Sequence, residues 1–461
     1  MIISESIMQK TLDAALSTGA DFADVFVEET YSSNLSLLSQ KPDQAIVGTL
    51  YGAGIRLFFG HEVVYVTTND LSEKGMVKAA LQAAKARGQG EARKSQSLQL
   101  MPFDSVHVFG EKPWEKDRDK KFSWLNSLDQ SARQHSSLVT QVGASLNEKF
   151  QKVQIANSLG MHVYDERAYS RVSCETFVEQ EGQKESSYEL EGHMGTSEIF
   201  DQINLKKLAQ ENVDRALLLT KAKYAPAGEM PVIISNGFGG VIFHEACGHG
   251  LETTSVAKGA SVFTGKLGEK IAHESVTAID DGTIANGWGS LSVDDEGFAT
   301  KKTTLIENGV LKSYIVDQMG AKQTGYSATG SGRKQSYKFA PASRMRNTYI
   351  AAGKDKFEDM IKDVDYGLFA KKMGGGSVNP GTGDFNFAVQ EAYIIRNGRI
   401  EEAVKGASLI GRGIEALGRI TKVGDDLKLS TGMCGSVSGS IPAAVGQPSI
   451  LVSKMLVGGR A

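Results

Sequence analysis

Proline and cysteine are scarce in this chain of 461 residues, at nine and three, and no apolar run approaches the ~18 residues needed to cross a bilayer. Each shortage excludes something. Three cysteines, Cys174, Cys247 and Cys434, are too few and odd in number for a disulfide framework, so each must be core filler or ligand. The start, Met1 to Ser6, has neither a basic n-region nor a continuous apolar stretch, and with no span elsewhere the reading is a cytoplasmic protein with no membrane partner. Net charge is −3, without the basic excess expected of a nucleic-acid binder, so no nucleic-acid partner is expected. What is abundant is glycine, at 51, which together with few prolines suits tight turns between strands better than a disordered linker. The length exceeds one hydrophobic core and calls for two or three domains.

Periodicity divides the chain. Ile7, Met8, Leu12, Ala15 and Leu16 recur at helical spacing before Gly19, then Ala23 to Asn69 reads as short strands with turns at Lys41-Pro42-Asp43 and Gly60-His61. Ser72 to Arg87 is a capped helix, 92–109 a polar connection and Asp117 to His135 a second helix. Strand patterns at 140–146, 149–157, 167–180 and 186–195 lead to a helix over 204–221, which Tyr224-Ala225-Pro226-Ala227-Gly228 breaks. Residues 1–222 therefore read as an N-terminal α/β region with an antiparallel sheet and flanking helices, divisible again near 92–117. Residues 223–461 read as a strand-rich C-terminal domain, and the whole is of the α+β class. In that domain Asn308-Gly309 and Asn397-Gly398 each sit between apolar-alternating arms, the strongest local hairpin signal. Short helices are expected at 354–362 and 411–419.

Between a short strand at 230–234 and an apolar run lies Ser235-Asn236-Gly237-Phe238-Gly239-Gly240, which lacks both the Lys-Ser/Thr ending of a P-loop and GxGxxG spacing and so reads as a strand-to-helix turn. The run that follows, Val241-Ile242-Phe243-His244-Glu245-Ala246-Cys247-Gly248-His249-Gly250, holds two of the eight histidines and a carboxylate. It resembles the zinc-protease signature His-Glu-x-x-His, in which two histidines share a helix face and the intervening glutamate activates a water. The spacing here is one residue longer. A four-residue gap leaves side chains only ~40° apart around a helix, whereas the five-residue gap leaves ~140°. The backbone must therefore bulge or the helix must end near Gly248 if both imidazoles are to meet one ion. Two satisfied histidines at a helix end are the alternative.

A catalytic zinc takes three protein ligands. Cys434, in Ser430-Thr431-Gly432-Met433-Cys434-Gly435-Ser436, is a thiol among glycines with no amphipathic pattern to bury it, and a soft thiolate suits zinc. Cys247 is the rival, ~60° from His244 on a regular helix, although a buried thiol in an apolar stretch is more commonly filler. Cys174 lies in a strand pattern and reads as structural. His273 reads as a surface histidine and Asp294-Asp295-Glu296 as a solvated turn, rather than as ligands.

The C-terminal half also resembles a known family, the TldD/PmbA peptidases, called modulators of DNA gyrase, and its TldD branch above all. The likeness is carried by His244 to Glu252, Val293-Asp294-Asp295-Glu296-Gly297, Gly332-Arg333-Lys334-Gln335-Ser336-Tyr337, Arg344-Met345-Arg346-Asn347-Thr348, Val404-Lys405-Gly406-Ala407, Cys434-Gly435 and Val445-Gly446-Gln447-Pro448, and more loosely by Gly52-Ala53-Gly54-Ile55-Arg56. The resemblance implies a metallopeptidase with Zn2+ held by His244, His249 and Cys434, a metal-activated water, and Glu245 as general base. It further implies unfolded or short polypeptides as substrates, and a homodimer or a heterodimer with a PmbA/TldE-like paralogue. Two departures stand out: Cys247 where the family has a small apolar residue, and Ser436-Val437-Ser438 where lysine and polar residues are usual. A reading of another class is a non-enzymatic scaffold whose zinc site is closed by Cys247 as fourth ligand.

Overall fold

In the computed structural model, which describes residues 2–88, 90–107, 109–379 and 381–459, the first helix forms where its period places it. α1 (Glu5–Ala15) starts at Ser4, whose hydroxyl accepts from the Ile7 N–H, and buries Met8, Leu12 and Ala15. β1 (Phe22–Leu38), β2 (Lys41–Phe59) and β3 (Glu62–Thr68) follow as an antiparallel meander. The first turn is not at Lys41-Pro42-Asp43. The chain reverses at Ser39 and Gln40, both at positive φ (47° and 69°), and Pro42 enters β2 beside a register shift in β1, where an absent N–H is tolerated. α2 (Glu73–Arg87), capped by Ser72, and α3 (Arg118–His135), capped by Asp117, lie as the sequence predicts.

β4 (Val139–Asn157) is one strand rather than two, since Asn147 and Glu148 keep pairing with Asn34 and Ser33 of β1. β5 (Met161–Gln180), β6 (Gln183–Met194) and α4 (Leu205–Lys221) complete this part. The sheet order is β3-β2-β1-β4-β5-β6, with Gln99–Leu100 added in parallel to the start of β5. α1 and α2 pack with β1 and β2 around one apolar cluster, while α3 and α4 pack with β4 and β5 around another.

Beyond Lys223 the chain builds its remaining sheets from β7 (Gly228–Ile234), β8 (Ala278–Asp281), β9 (Lys302–Glu307), β10 (Asn347–Ile350), β11 (Tyr366–Val378), β12 (Asp384–Arg396), β13 (Lys428–Ser436), β14 (Gly439–Gln447) and β15 (Ile450–Gly458). β9, β8, β10, β14 and β13 lie side by side in one sheet, with β13 at its edge. In another, β11, β7, β15, Ser408–Arg412 and β12 pair in turn, and β12 pairs back onto β11, closing five strands into a ring. Both Asn-Gly turns form with positive φ at each residue, as a type I′ turn requires. The architecture is α+β. No helix among the described residues is long and apolar enough to cross a membrane.

The acidic run is not a solvated turn. Asp294, Asp295 and Glu296 are all buried where the first sheet meets the C-terminal part: Arg167 of β5 binds Asp295 at 2.5 Å, and Arg56 of β2 binds Glu296 at 2.8 Å. Asp294 instead accepts the N–H groups of Glu296, Phe298 and Gly332. Sequence pattern could not reveal this, because the arginines that compensate the charges lie more than a hundred residues away.

Arg346 is the counterpart within the C-terminal part. Wholly buried, it donates to Asp280 at 2.8 Å and to the carbonyls of Thr329 and Gly330, while Asp280 also accepts from the Arg346 N–H and the Thr348 hydroxyl. Arg346→Met is expected to destabilise the protein by about 3–5 kcal/mol, because it strands a buried carboxylate. A lowered thermal and denaturant midpoint would show this; an unchanged midpoint would mean that the pair contributes nothing.

Candidate metal centre

β7 ends at Ile234 and the chain turns sharply through Gly237–Gly240 into a helix. A side chain at Gly240 would meet the Gly446 carbonyl of β14 at 2.4 Å, so the turn is packed against backbone, consistent with a strand-to-helix connection. Val241, Ile242, Phe243, Ala246 and Cys247 are buried in the main apolar cluster with Ile234, Val452 and Met455. The helix is thus anchored on one side, leaving His244, Glu245 and His249 to face elsewhere.

The five-residue spacing is absorbed by the backbone in two steps. His244–Gly248 forms a π-turn, with the His249 N–H donating to the His244 carbonyl, and His249–Leu251 tightens into a 3-10 turn before Glu252 becomes extended. The extra residue per turn brings the two rings together, perpendicular and 5.2 Å apart between centroids. Gly248 permits it, because a Cβ there would lie 2.1 Å from the Met345 sulfur.

Cys434 approaches from β13, paired with Ile441 of β14. Its Sγ lies 3.1 Å from His244 Nε2 and 3.2 Å from His249 Nε2, and the three donor atoms fall within 4.8 Å of one another. For comparison, the N···S edge of a tetrahedral zinc site is about 3.5 Å. Two imidazole nitrogens and a soft sulfur form a donor set suited to zinc. Burial alone would raise the Cys434 thiol, but His244 and His249 outweigh it and hold it down to about 3. Burial likewise opposes charge on His249, yet Glu252 and the Cys434 sulfur raise its pKa well above the usual histidine range. The residues present therefore fit a cation that takes two nitrogens and a thiolate.

Glu245 Oε2 is 3.6 Å from His249 Nε2, and its side chain is 27% exposed beside the nearly buried His244 and Cys434. It stands on the open side of the cluster. Cys247 points into the apolar core, where burial pushes its thiol far up, and it does not join the histidines. Cys174 is buried in β5, and His273 bonds to the Ser275 hydroxyl away from the cluster.

Three family models match in order along the chain: PmbA/TldA metallopeptidase domain 1 over 23–87, the central domain over 111–220 and the C-terminal domain over 227–459. The chain belongs to the PmbA/TldA metallopeptidase family. A Haemophilus influenzae protein named as a metalloprotease TldD homologue is 38% identical over 88% of this chain and 86% of its own length. A metalloprotease of Methanocaldococcus jannaschii is 32% identical over 92% and 94%. A Saccharolobus solfataricus relative named as a zinc metalloprotease is 27% identical over 98% of this chain and 100% of its own. The fold is shared with the crystal structure of a Thermotoga maritima protein named, on a provisional basis, as a modulator of a DNA gyrase, at TM-score 0.82 and 20% identity over 98% of this chain and 100% of that one. It is also shared with TldE from Thermococcus kodakarensis, at 0.79 and 19% over 99% of each. This member of the PmbA/TldA family thus carries the His-Glu-x-x-x-His run on a π-turn.

Two side chains at the cluster had no assigned role in the sequence. Glu252 contacts His249 Nδ1 at 3.0 Å, and Arg344 donates to the Cys434 carbonyl at 2.6 Å. The three-residue step from His249 to Glu252 is a usable helical signal. Nothing local points to Arg344.

Proposed function

We propose that this protein is a zinc-dependent peptidase that hydrolyses unfolded or short polypeptides, with His244, His249 and Cys434 as metal ligands and Glu245 as general base. The observation that carries the reading is the convergence of both imidazoles on the Cys434 sulfur, with Glu245 beside them on the exposed side. Bound zinc would supply Lewis acidity toward a peptide carbonyl and lower the pKa of the attacking water. Glu245 accepts that water's proton and delivers it to the leaving amine, which a carboxylate can do from hydrogen-bond reach without ligating. An extended substrate paired along a strand edge fits this reading, since main-chain pairing is sequence-tolerant. A second copy or a TldE-like paralogue is the proposed partner, in the cytoplasm, where three unpaired cysteines are unremarkable.

The scaffold reading needs a fourth protein ligand, and Cys247 lies in the core instead. The test is metal content and cleavage of an unfolded polypeptide by wild type and Cys247→Ala, with and without the co-expressed partner. Cys247→Ala is expected to keep zinc and cleavage, at a packing cost of about 1 kcal/mol. Zinc loss in that variant, with no cleavage by wild type under any of these conditions, would favour the scaffold and overturn the peptidase.

A further inference from the structure

We propose that Glu252 and Arg344 act as one positioning unit that sets the ligand triad before the metal arrives; this rests on the metal-centre reading above. The two ligand-bearing segments have no covalent reason to keep their relative position: His249 leaves a π-turn, and Cys434 lies 185 residues later on an edge strand. Glu252 and Arg344 join them. Glu252 Oε2 is 3.0 Å from His249 Nδ1, and its other oxygen accepts the Met345 N–H at 3.3 Å. Arg344 donates to the Cys434 carbonyl at 2.6 Å, and to the Ser438 hydroxyl and Gly439 carbonyl at 2.9 Å each, so its guanidinium grips both arms of the β13–β14 hairpin. Its Nε, 3.9 Å from Glu252 Oε1, has no hydrogen-bond partner among the described residues.

Both side chains are out of solvent, Glu252 at 2% exposure and Arg344 at 0%. Glu252 is thus flanked by His249 at 3.0 Å and by Arg344 at 3.9 Å, and the carboxylate is what compensates the buried guanidinium charge. The consequence for the site is specific. An N–H on Nδ1 directed at Glu252 turns Nε2 of His249 toward the Cys434 sulfur, so that Nε2 is the nitrogen a metal would meet and ligating atom and ring rotation are fixed together. Arg344 does the corresponding task for the thiolate by fixing the main chain at Cys434 rather than touching the sulfur. Neither side chain supplies a donor atom to the cluster of His244, His249 and Cys434, and both are buried, so both are positioning residues.

The experiment uses the full-length protein with Glu252→Gln, Glu252→Ala, Arg344→Lys and the double variant Glu252→Gln/Arg344→Lys. Three readouts are taken: zinc affinity by competition with a chromophoric chelator, the visible spectrum of the cobalt(II) form, and the melting temperature without metal. Glu252→Gln, which keeps an acceptor and the side-chain shape, is expected to weaken zinc about 10-fold, and Glu252→Ala up to about 100-fold. Arg344→Lys should shift the thiolate-to-cobalt charge-transfer band. The double variant should weaken zinc by less than the product of the two single effects, because the residues act as a unit. If Glu252→Ala does not fold, the glutamine and lysine variants still decide the matter. Melting temperatures that fall while zinc affinity and the cobalt spectrum stay at wild-type values would make the pair purely structural and overturn the proposal. Wild type that binds no stoichiometric zinc would instead overturn the metal centre itself.

Discussion

Glu245→Gln is expected to lower kcat by about 10²–10⁴-fold while the protein still holds its zinc, the range that a positioned general acid–base group contributes. The side chains differ by one heavy atom, and the amide keeps the shape of the carboxylate while losing its ability to take a proton. Glu245 contacts only the edge of the cluster, 3.6 Å from His249 Nε2, and the close N···S contacts are made without it. Metal content, measured on the same preparation used for cleavage of an unfolded polypeptide, should therefore match wild type. KM should change little if substrate is held by main-chain pairing away from Glu245. Normal turnover by zinc-replete Glu245→Gln would remove the general base from the mechanism. Loss of zinc would instead make Glu245 part of the metal-holding set.

The parts of the fold that could be read from the sequence are those whose determinants are local. Asn308-Gly309 and Asn397-Gly398 specify their own turns through positive φ, and Ser4, Ser72 and Asp117 cap the helices that their neighbours' periodicity announces. The failures share a cause. The break expected between Leu146 and Lys149 does not occur because Asn147 and Glu148 are stitched to β1, more than a hundred residues earlier. The Asp294-Asp295-Glu296 run looks like a turn until Arg56 and Arg167 are placed beside it.

The candidate site divides along the same line. The 140° between His244 and His249 on a regular helix is a property of spacing alone, and it announces a backbone irregularity that the π-turn supplies. That Cys434 rather than Cys247 lies against the histidines depends on a strand 185 residues beyond His249, whose place local sequence does not set. Only the glycine-flanked chemistry of Cys434 and the family resemblance hinted at it. Glu252 and Arg344 stand within the resembling motifs, but no role was assigned to them there, since their contacts exist only once both segments are in place.

Cys434→Ser should cost more metal than any of the single changes above. In structural zinc sites with four protein ligands a binding free energy of about 10–16 kcal/mol amounts to roughly 2.5–4 kcal/mol per ligand, and on that scale loss of the thiolate is expected to weaken binding by about 10²–10³-fold. Serine cannot substitute, because a hydroxyl is a hard and largely protonated donor where the thiol is already held down to about 3. The sulfur is also the atom on which both imidazoles converge. The fold should survive, since what holds this strand is the pairing of β13 with β14 and the Arg344 bonds to main-chain carbonyls, none of which uses the sulfur. The expected outcome is an intact melting transition, a zinc-to-protein ratio falling toward zero after dialysis, and no cleavage until zinc is supplied in large excess. Cys174→Ser and Cys247→Ser, carried through the same dialysis, should keep their zinc, since neither thiol lies with the histidines. Full zinc content and wild-type cleavage in Cys434→Ser would exclude the thiolate as a ligand and return the site to two histidines at a helix end.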